Sequence, residues 1–246
     1  MTKPNTKEID AAISSAEFQR NLMASKLNWL RAGVLGANDG IMSVSGIVLG
    51  VAASPSVQSS TILIAGTAAV VAGSISMAGG EYTSVSAQKD SEKAALEIER
   101  AELQSNPEGE LHELAWFYEQ KGMSPKLALQ VAQELTSKDA LKAHAEAELG
   151  IDADHHVSPM QAALSSFVAF AAGGLLPLLA VSGPWVEYRI QATVASVIVA
   201  LVLTGFVGAK IGGTKPARGI LRNVIVSSMT MGVTYLIGML VGTHLV

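Results

Sequence analysis

Two pairs of glutamates spaced Glu-x-x-Glu are the residues of this sequence best suited to chemistry. They are Glu99/Glu102 and Glu110/Glu113, and residues at i and i+3 share a helix face. The sequence Asn-Pro-Glu-Gly at 106–109 breaks the helix and would let the two helices fold back, so the four carboxylates could converge. Grouped negative charges repel one another unless a cation binds, and oxygen-rich sites suit divalent cations. The spacing is consistent both with a divalent-metal site and with two independent solvated acidic faces, and it does not decide between them.

Histidines in the same region are additional candidate ligands. Softer divalent cations need a Met, His or similar neighbour among the carboxylates. Lone histidines at such positions are more often ordinary surface residues. The histidines concerned are His112, His144, His155 and His156.

A second group of candidate residues lies in apolar sequence. Asp39 falls about eight residues inside the first apolar stretch, roughly 12 Å below its boundary at 1.5 Å per residue. A carboxylate in hydrocarbon is costly and usually serves a pathway or a partner; the alternative is a structural hydrogen bond near the membrane face. Met77, in the next apolar stretch, could approach Asp39 in depth and offer a soft thioether ligand, although most such methionines only pack. Glu81 follows one turn later and would place a carboxylate at the mouth of this path.

If the second apolar helix continues unbroken beyond Glu81, one surface links the two groups of candidates. At 100° per residue the side chains fall within an arc of about 80°. The six residues on this arc are Met77, Glu81, Gln88, Glu92, Glu99 and Glu102. Acidic helices show such clustering by chance, so the arc only suggests a guiding face.

Composition indicates the environment of these residues. The chain has 246 residues, 49% of them hydrophobic and only 15% charged, whereas soluble domains carry about 25% charge. The absence of cysteine excludes disulfides, thiol nucleophiles and Cys-ligated metal sites. A net charge of −4 disfavours a nucleic-acid binder. The sequence predicts an all-α membrane protein.

Long stretches without charge define the predicted spans, because a helix needs about 20 apolar residues to cross a bilayer. The predicted spans are 32–53, 61–82, 160–181, 190–210 and 221–243. Lys and Arg cluster on the side that holds the N-terminus, the 83–158 segment and the 211–220 loop, so this side is expected to be cytoplasmic and the C-terminus outside.

Four segments follow from this reading. The N-terminal 1–31 is cytoplasmic or interfacial, 32–82 holds spans 1 and 2, 83–158 is a helical cytoplasmic domain, and 159–246 holds spans 3 to 5. The 83–158 domain carries 15 of the 21 acidic residues and 7 basic ones. Its helices should break at 106–109 and at 121–122, with Ser124 and Ser137 as N-caps and Gly150 ending the last helix. The GxxxG spacings at Gly46/Gly50, Gly208/Gly212 and Gly238/Gly242 indicate close helix packing or a dimer interface.

The sequence resembles the vacuolar iron transporter family over nearly its whole length. The resemblance rests on Asn38-Asp39-Gly40, on the run from Gly73 to Tyr82 and on Glu99-Arg100-Ala101-Glu102-Leu103. It also rests on Pro107 to Glu113, Glu148-Leu149-Gly150 and Gly173-Gly174-Leu175-Leu176-Pro177-Leu178.

This resemblance implies a homodimer of five-span subunits that exchanges cytoplasmic Fe²⁺, and often Mn²⁺ or similar ions, for protons. It assigns Asp39 and Met77 to the membrane pathway, and Glu99, Glu102, Glu110, Glu113 and Glu148 to a cytoplasmic metal site. Two departures stand out. His144 and Ala145 occupy positions where family members often have a Met pair, and Ala69 stands where some plant-type members have an acidic residue.

The predicted function is therefore divalent-metal transport out of the cytosol by metal/proton antiport, with no prosthetic group and no enzymatic activity. Fe²⁺ and Mn²⁺ are the expected ions, with Co²⁺, Ni²⁺ and Zn²⁺ as further candidates. Pathway candidates are Asp39, Met77 and Glu81, and His144 and Glu92 are secondary metal ligands. The expected location is a bacterial plasma membrane. A membrane-anchored metal sensor or buffer is the alternative. The sequence disfavours a di-iron ferroxidase, because it lacks the Glu-x-x-His spacing of such sites, and a serine hydrolase, because it lacks a histidine base within the spans.

Overall fold

The computed structural model describes residues 31–55, 57–151 and 158–244, and every regular element in these ranges is helical. The chain divides into two compact units. Unit 1 contains the described parts of 1–82 and 159–246, and unit 2 contains the described parts of 83–158. The predicted N-terminal segment lies outside the described residues except for Arg31.

Five helices of unit 1 are long and apolar enough to cross a membrane. We label the described elements α1 (Arg31–Ala52), α2 (Ser59–Ser105), α5 (Pro159–Val181), α6 (Arg189–Ile211) and α7 (Pro216–His244). A short 3₁₀ turn, Val186–Tyr188, precedes α6. The five predicted spans are thus confirmed as helices. Large apolar side chains such as Ile64, 71% exposed, and Leu179, 68% exposed, cover their outer surfaces, which is the surface expected against hydrocarbon.

Helix α2 is far longer than a single span. Its 47 residues extend over roughly 70 Å, about twice the thickness of a hydrocarbon core. The helix runs without interruption from unit 1 into unit 2, as the arc of candidate residues required.

Glycines let the helices of unit 1 approach one another closely. A Cβ atom at Gly40 would collide with the backbone of Phe170 in α5, and one at Gly238 of α7 would collide with the backbone of Gly50 in α1. The GxxxG motifs that contain Gly50 and Gly238 therefore allow close helix packing within the chain. Two apolar clusters fill the remaining space. One is centred on Val44, Val48, Ile62, Val70, Phe170 and Leu178, and the other on Ile41, Leu49, Val197, Ala200, Leu201 and Met231.

Unit 2 is built from the end of α2, α3 (Pro107–Gln120), α4 (Pro125–His144) and a π-helical turn (Ala145–Leu149). The breaks fall where the sequence predicts them. Asn106 caps α3 by accepting a hydrogen bond from the Gly109 N–H at 3.1 Å, and Gly122 adopts φ +95° after α3. Ser124 occupies the N-cap position of α4 without a side-chain cap hydrogen bond. The buried core of the unit comprises Leu114, Ala115, Ala132 and Ala143.

The N-cap predicted at Ser137 is wrong. Its hydroxyl donates to the Glu134 carbonyl at 2.8 Å, so Ser137 lies inside the helix. The cap is Asp139, whose backbone leaves the helical region (φ −160°, ψ 97°) and whose carboxylate accepts from the Lys142 N–H at 3.0 Å. The segment after this kink ends as predicted at Gly150, which adopts φ +64°.

Candidate metal centre

Three elements of unit 2 place carboxylates around one imidazole. Nδ1 of His144, at the end of α4, lies 2.8 Å from Oε1 of Glu99 on α2 and 3.6 Å from Oε2 of Glu148 on the π-helical turn. Oε2 of Glu110, in the first turn of α3, is 3.8 Å from the same nitrogen. Ligand atoms of Glu99, His144 and Glu148 all lie within 4.8 Å of one another. The group thus has the size of a single-ion site.

Local structure explains why these side chains meet. Because α2 stops at Ser105 and α3 begins at Pro107, the carboxylates of Glu99 and Glu110 lie on either side of a tight helical break. The helix beyond Asp139 then carries His144 and Glu148 one turn apart. A π-helical turn changes the direction of the side chains that follow it, and such turns are frequent at functional sites. Packing of Leu114 against Ala132 and Ala143 holds α3 and α4 together beneath the group.

The group is buried and short of hydrogen bonds. His144 is 0% exposed and Glu99 3% exposed. Both imidazole nitrogens, Oε1 of Glu99 and Oε2 of Glu148 are buried without a hydrogen-bond partner, although the Glu99–His144 distance is short enough for one. Buried polar atoms without partners are costly. A cation bound between these atoms would accept their lone pairs and so satisfy them.

The electrostatics of the group follow from its burial and its concentrated negative charge. Burial, reinforced by the carboxylates of Glu148, Glu110, Glu102 and Glu113, raises the pKa of Glu99 to about 7. The pKa of Glu110 is also raised, chiefly by burial and by Glu113, although His144 opposes the shift. A cation would relieve this repulsion and favour the ionised carboxylates.

Sequence reasoning underestimated His144. A lone histidine was expected at the surface, yet its imidazole is the centre of the group. The available signals were its i, i+4 relation to Glu148 and its position where family members often have a methionine. His112, by contrast, is exposed, and His155 and His156 lie outside the described residues.

The remaining acidic candidates, Glu102, Glu113 and Glu92, are not members of this group. Glu102 and Glu113 are exposed but close enough to raise the pKa of Glu99. Glu92 is half-buried and accepts a hydrogen bond from Gln88 at 2.8 Å. Of the four carboxylates of the two Glu-x-x-Glu motifs, Glu99 and Glu110 approach His144, and a metal site formed by all four stays a prediction.

Three candidate pathway residues lie in unit 1. The half-buried carboxylate of Asp39 accepts a hydrogen bond from Ser43 at 2.7 Å, one turn further along α1. Met77 packs against the margin of the apolar cluster around Val44 and Phe170. Glu81 is half-buried on α2. These contacts describe the surroundings of Asp39 and Met77 separately, so their joint role in a pathway stays a prediction.

Comparison with known proteins covers residues of both units. The sequence model of the VIT family matches residues 30–239, which include both Asp39 and Glu148. The chain belongs to the VIT family. It is 45% identical to a vacuolar iron transporter of Acanthamoeba castellanii over 215 residues, covering 86% of this chain and 78% of that protein.

Plant proteins show the same relationship at lower identity. The chain is 33% identical to vacuolar iron transporter homolog 5 of Oryza sativa subsp. japonica over 233 residues, 94% of this chain and 89% of the relative. It is 32% identical to homolog 3 of Arabidopsis thaliana over 225 residues, 90% of this chain and 87% of the relative. VIT-family membership, together with five long apolar helices, identifies the chain as an integral membrane protein.

Proposed function

We propose that this chain transports divalent metal ions, Fe²⁺ or Mn²⁺ above all, out of the cytosol. The observation that carries the proposal is the buried Glu99–His144–Glu148 group, whose ligand atoms lack hydrogen-bond partners. Relatives named as iron transporters support metal as the substrate.

The donor set suits such an ion. Carboxylate oxygens bind Mn²⁺ and Fe²⁺, and an imidazole suits Fe²⁺ and its later neighbours better than Ca²⁺ or Mg²⁺. Two ligand atoms bound about 2.1 Å from one metal at a right angle are about 3 Å apart. The distances from His144 Nδ1, 2.8, 3.6 and 3.8 Å, bracket this value. Small side-chain shifts would bring these ligand atoms around one ion. The group would then collect the substrate ion in unit 2.

The transport step is assigned to Asp39, Met77 and Glu81 in unit 1. Asp39 and Met77 bind the ion in a partly dehydrated state, and Glu81 receives it at the mouth of the path. Protonation of Asp39 weakens its hold on the cation, so metal and protons move in opposite directions. The Ser43 hydroxyl that donates to Asp39 positions this carboxylate. Homodimerisation, which the family resemblance implies, would place the path between helices of two subunits.

The distribution of Lys and Arg supports an orientation in which unit 2 and the α6–α7 loop are cytoplasmic and the C-terminus lies outside. A bacterial plasma membrane is the location we propose for the chain. Unit 2 then samples cytosolic metal, and transport proceeds outward. A membrane-anchored sensor or buffer is the competing function, because the group in unit 2 would suffice for it.

Flux measured in proteoliposomes distinguishes the two functions. Mn²⁺, or Fe²⁺ under anaerobic conditions, is added under an imposed pH gradient while lumenal pH is followed. Metal entry with opposite proton movement is expected of the antiporter. Tight binding without flux under either gradient would instead establish a sensor or buffer.

A further inference from the structure

A cavity of about 400 Å³ lies in unit 1, where α1 begins, α6 ends and α7 begins. Its polar lining is supplied by Arg31 and Asn38 of α1, Thr204 of α6, Thr214 between α6 and α7, and Arg222 and Asn223 of α7. The Thr204 hydroxyl donates to Oδ1 of Asn38 at 2.6 Å, which ties α1 to α6 across the cavity. The cavity includes none of the candidate pathway residues and none of the metal-binding group.

Both charged side chains in the described lining of this cavity are basic. Arg31 and Arg222 line it, and no acidic residue is among its described lining. Residues 190–246 contain four basic residues and no Asp or Glu, so nothing in that part of the sequence neutralises Arg222. A cation would be repelled here, whereas an anion would meet two guanidinium groups suited to phosphate. The cavity is therefore unsuited to the transported metal.

Four glycines are among the residues that line the cavity: Gly205 and Gly208 of α6, Gly212 just after α6, and Gly219 of α7. A Cβ atom at Gly219 would lie 3.2 Å from the carbonyl oxygen of Gly205, so α6 and α7 are in close contact at this wall. A Cβ atom at Gly208 would lie 3.2 Å from Val34 on α1, so a larger side chain there would narrow the cavity. This volume exceeds that of a phosphate ion and leaves room for the glycerol portion of a lipid.

An apolar groove of about 310 Å³ adjoins the cavity. The two share Val34, Thr204 and Ile211, and the groove is otherwise lined by apolar side chains of α1 and α6. Leu203 is 59% exposed and Val207 48% exposed on this surface, which belongs to the apolar exterior of unit 1. A cavity with two basic side chains thus opens into an apolar groove on the surface expected to face hydrocarbon.

We propose that this cavity and groove bind one anionic phospholipid. Its phosphodiester lies between Arg31 and Arg222, the Asn38 and Asn223 amides and the Thr204 hydroxyl add neutral contacts, and an acyl chain follows the groove past Ile211. A free phosphate would leave the groove unused, and a second copy of this chain would need an acidic side chain to enter the cavity. The amphipathic lining matches the two chemistries of one lipid molecule.

Native mass spectrometry of the full chain in detergent tests this site, with phosphatidylglycerol and phosphatidylcholine of the same acyl chains as probes. We expect phosphatidylglycerol to bind at least about tenfold more tightly, and Arg222→Gln to weaken it about tenfold, as loss of a charge-assisted hydrogen bond predicts. Arg218→Gln is the matched control because it makes the same charge change on the same helix outside the cavity lining. It should weaken binding by about twofold or less, because Arg218 does not line the cavity.

A second variant tests the groove. Ile211→Trp fills the position shared by cavity and groove, so it should weaken phosphatidylglycerol binding while the melting temperature without lipid stays near that of the parent chain. The proposal is overturned if Arg218→Gln and Arg222→Gln have equal effects, or if phosphatidylcholine binds equally well. It is also overturned if glycerol 1-phosphate competes at the same concentration as intact lipid, which marks a free-anion site, or if Ile211→Trp changes oligomeric state instead of lipid binding, which marks a subunit interface.

Discussion

His144 is completely buried, and oxygens of three carboxylates lie within 3.8 Å of its Nδ1. Neither imidazole nitrogen has a hydrogen-bond partner, and the nearest oxygen of Glu99 is 2.8 Å away. Burial of unpaired polar groups costs free energy. Because the imidazole lies at the centre of the group, its removal is the most direct test of whether the group binds metal.

We expect His144→Ala to weaken Mn²⁺ binding by about tenfold or more, because even residues that only orient metal ligands contribute that much. Isothermal titration calorimetry of the full chain in detergent measures the change. His112→Ala is the control, since His112 is exposed on α3 in the same unit. Equal affinities for the parent and His144→Ala would exclude the imidazole as a ligand.

The raised pKa of Glu99 predicts how metal binding depends on pH. Because this pKa is about 7, a proton competes for the carboxylate below pH 7, and Mn²⁺ affinity should fall roughly tenfold per pH unit if one proton is displaced. Titrations at pH 8, 7 and 6 measure the fall. Glu99→Gln carries no titrating group at this position, so its weaker binding should vary less over the same range. A parent chain with pH-independent affinity would contradict the shift.

The same pKa shift makes the stability of the metal-free protein fall as pH rises, whereas it makes metal affinity increase. Glu99 has a pKa of about 7 in the fold against an ordinary value of 4.5, so the folded state holds the proton more tightly than the unfolded state. The contribution to stability is complete below pH 4.5 and is lost as pH rises through 7. A bound metal ion would supply the compensating charge at higher pH.

Asp39 governs flux in the proposed mechanism and should not affect binding in unit 2. Asp39→Asn keeps the size of the side chain and an oxygen that can accept from Ser43, but it removes the charge. We expect metal entry into proteoliposomes to fall to the level of empty vesicles, while calorimetric binding by the Glu99–His144–Glu148 group in unit 2 stays unchanged. Ser43→Ala, which keeps the carboxylate, is the control and should retain measurable flux. Full flux in Asp39→Asn would remove this carboxylate from the pathway.

At the scale of elements, the kink at Asp139 separates α4 into two helical segments. The second segment begins with the Asp139 cap and ends at Gly150, and it carries His144 and Glu148. The position of the metal-binding side chains on this segment therefore depends on a cap that lies outside the group itself.

Asp139→Ala should destabilise this segment by about 1 kcal/mol, the usual value of an N-cap, and so speed amide exchange there by about fivefold. Hydrogen–deuterium exchange measured over residues 140–150 tests this, with residues 107–120 as an internal reference. Ser137→Ala is the control because its hydroxyl bonds within the helix, and it should leave exchange nearly unchanged. Equal acceleration in both variants would contradict the cap assignment.

The helix boundaries show what local sequence can and cannot predict. Proline after Asn106 and the glycines at 122 and 150 act through local backbone geometry, so those breaks were predictable. Asp139 and Ser137 are both good cap residues, and only packing of the two segments selects between them. The π-helical turn and the burial of His144 likewise depend on contacts distant in sequence.

At the scale of the molecule, charge-free stretches longer than 18 residues predicted the spans, because the cost of burying charge in hydrocarbon is independent of the fold. How those spans pack against one another was harder to predict from the sequence. Contacts such as Gly50 with Gly238 join residues far apart in sequence, and spacing alone cannot identify the partner of a GxxxG motif.

The absence of cysteine makes the proposed orientation directly testable. Single-cysteine variants Ser137→Cys in unit 2 and Lys215→Cys between α6 and α7 should react with an impermeant maleimide only in inside-out vesicles. Ser182→Cys, after α5, should react in intact cells. All three positions are exposed in the structure. Labelling of Ser182→Cys and Lys215→Cys from the same side would contradict the five-span arrangement, and the unsubstituted chain is the blank.

Complete burial of His144 also has a kinetic consequence. Because its imidazole is 0% exposed and Glu99 is 3% exposed, a hydrated ion can reach both side chains only when the structure around them opens. In the proposed function, loading and release would then proceed only as often as the group opens. The residence time of an ion is set by this opening frequency and not by diffusion, so two variants with equal affinity could deliver metal at very different rates.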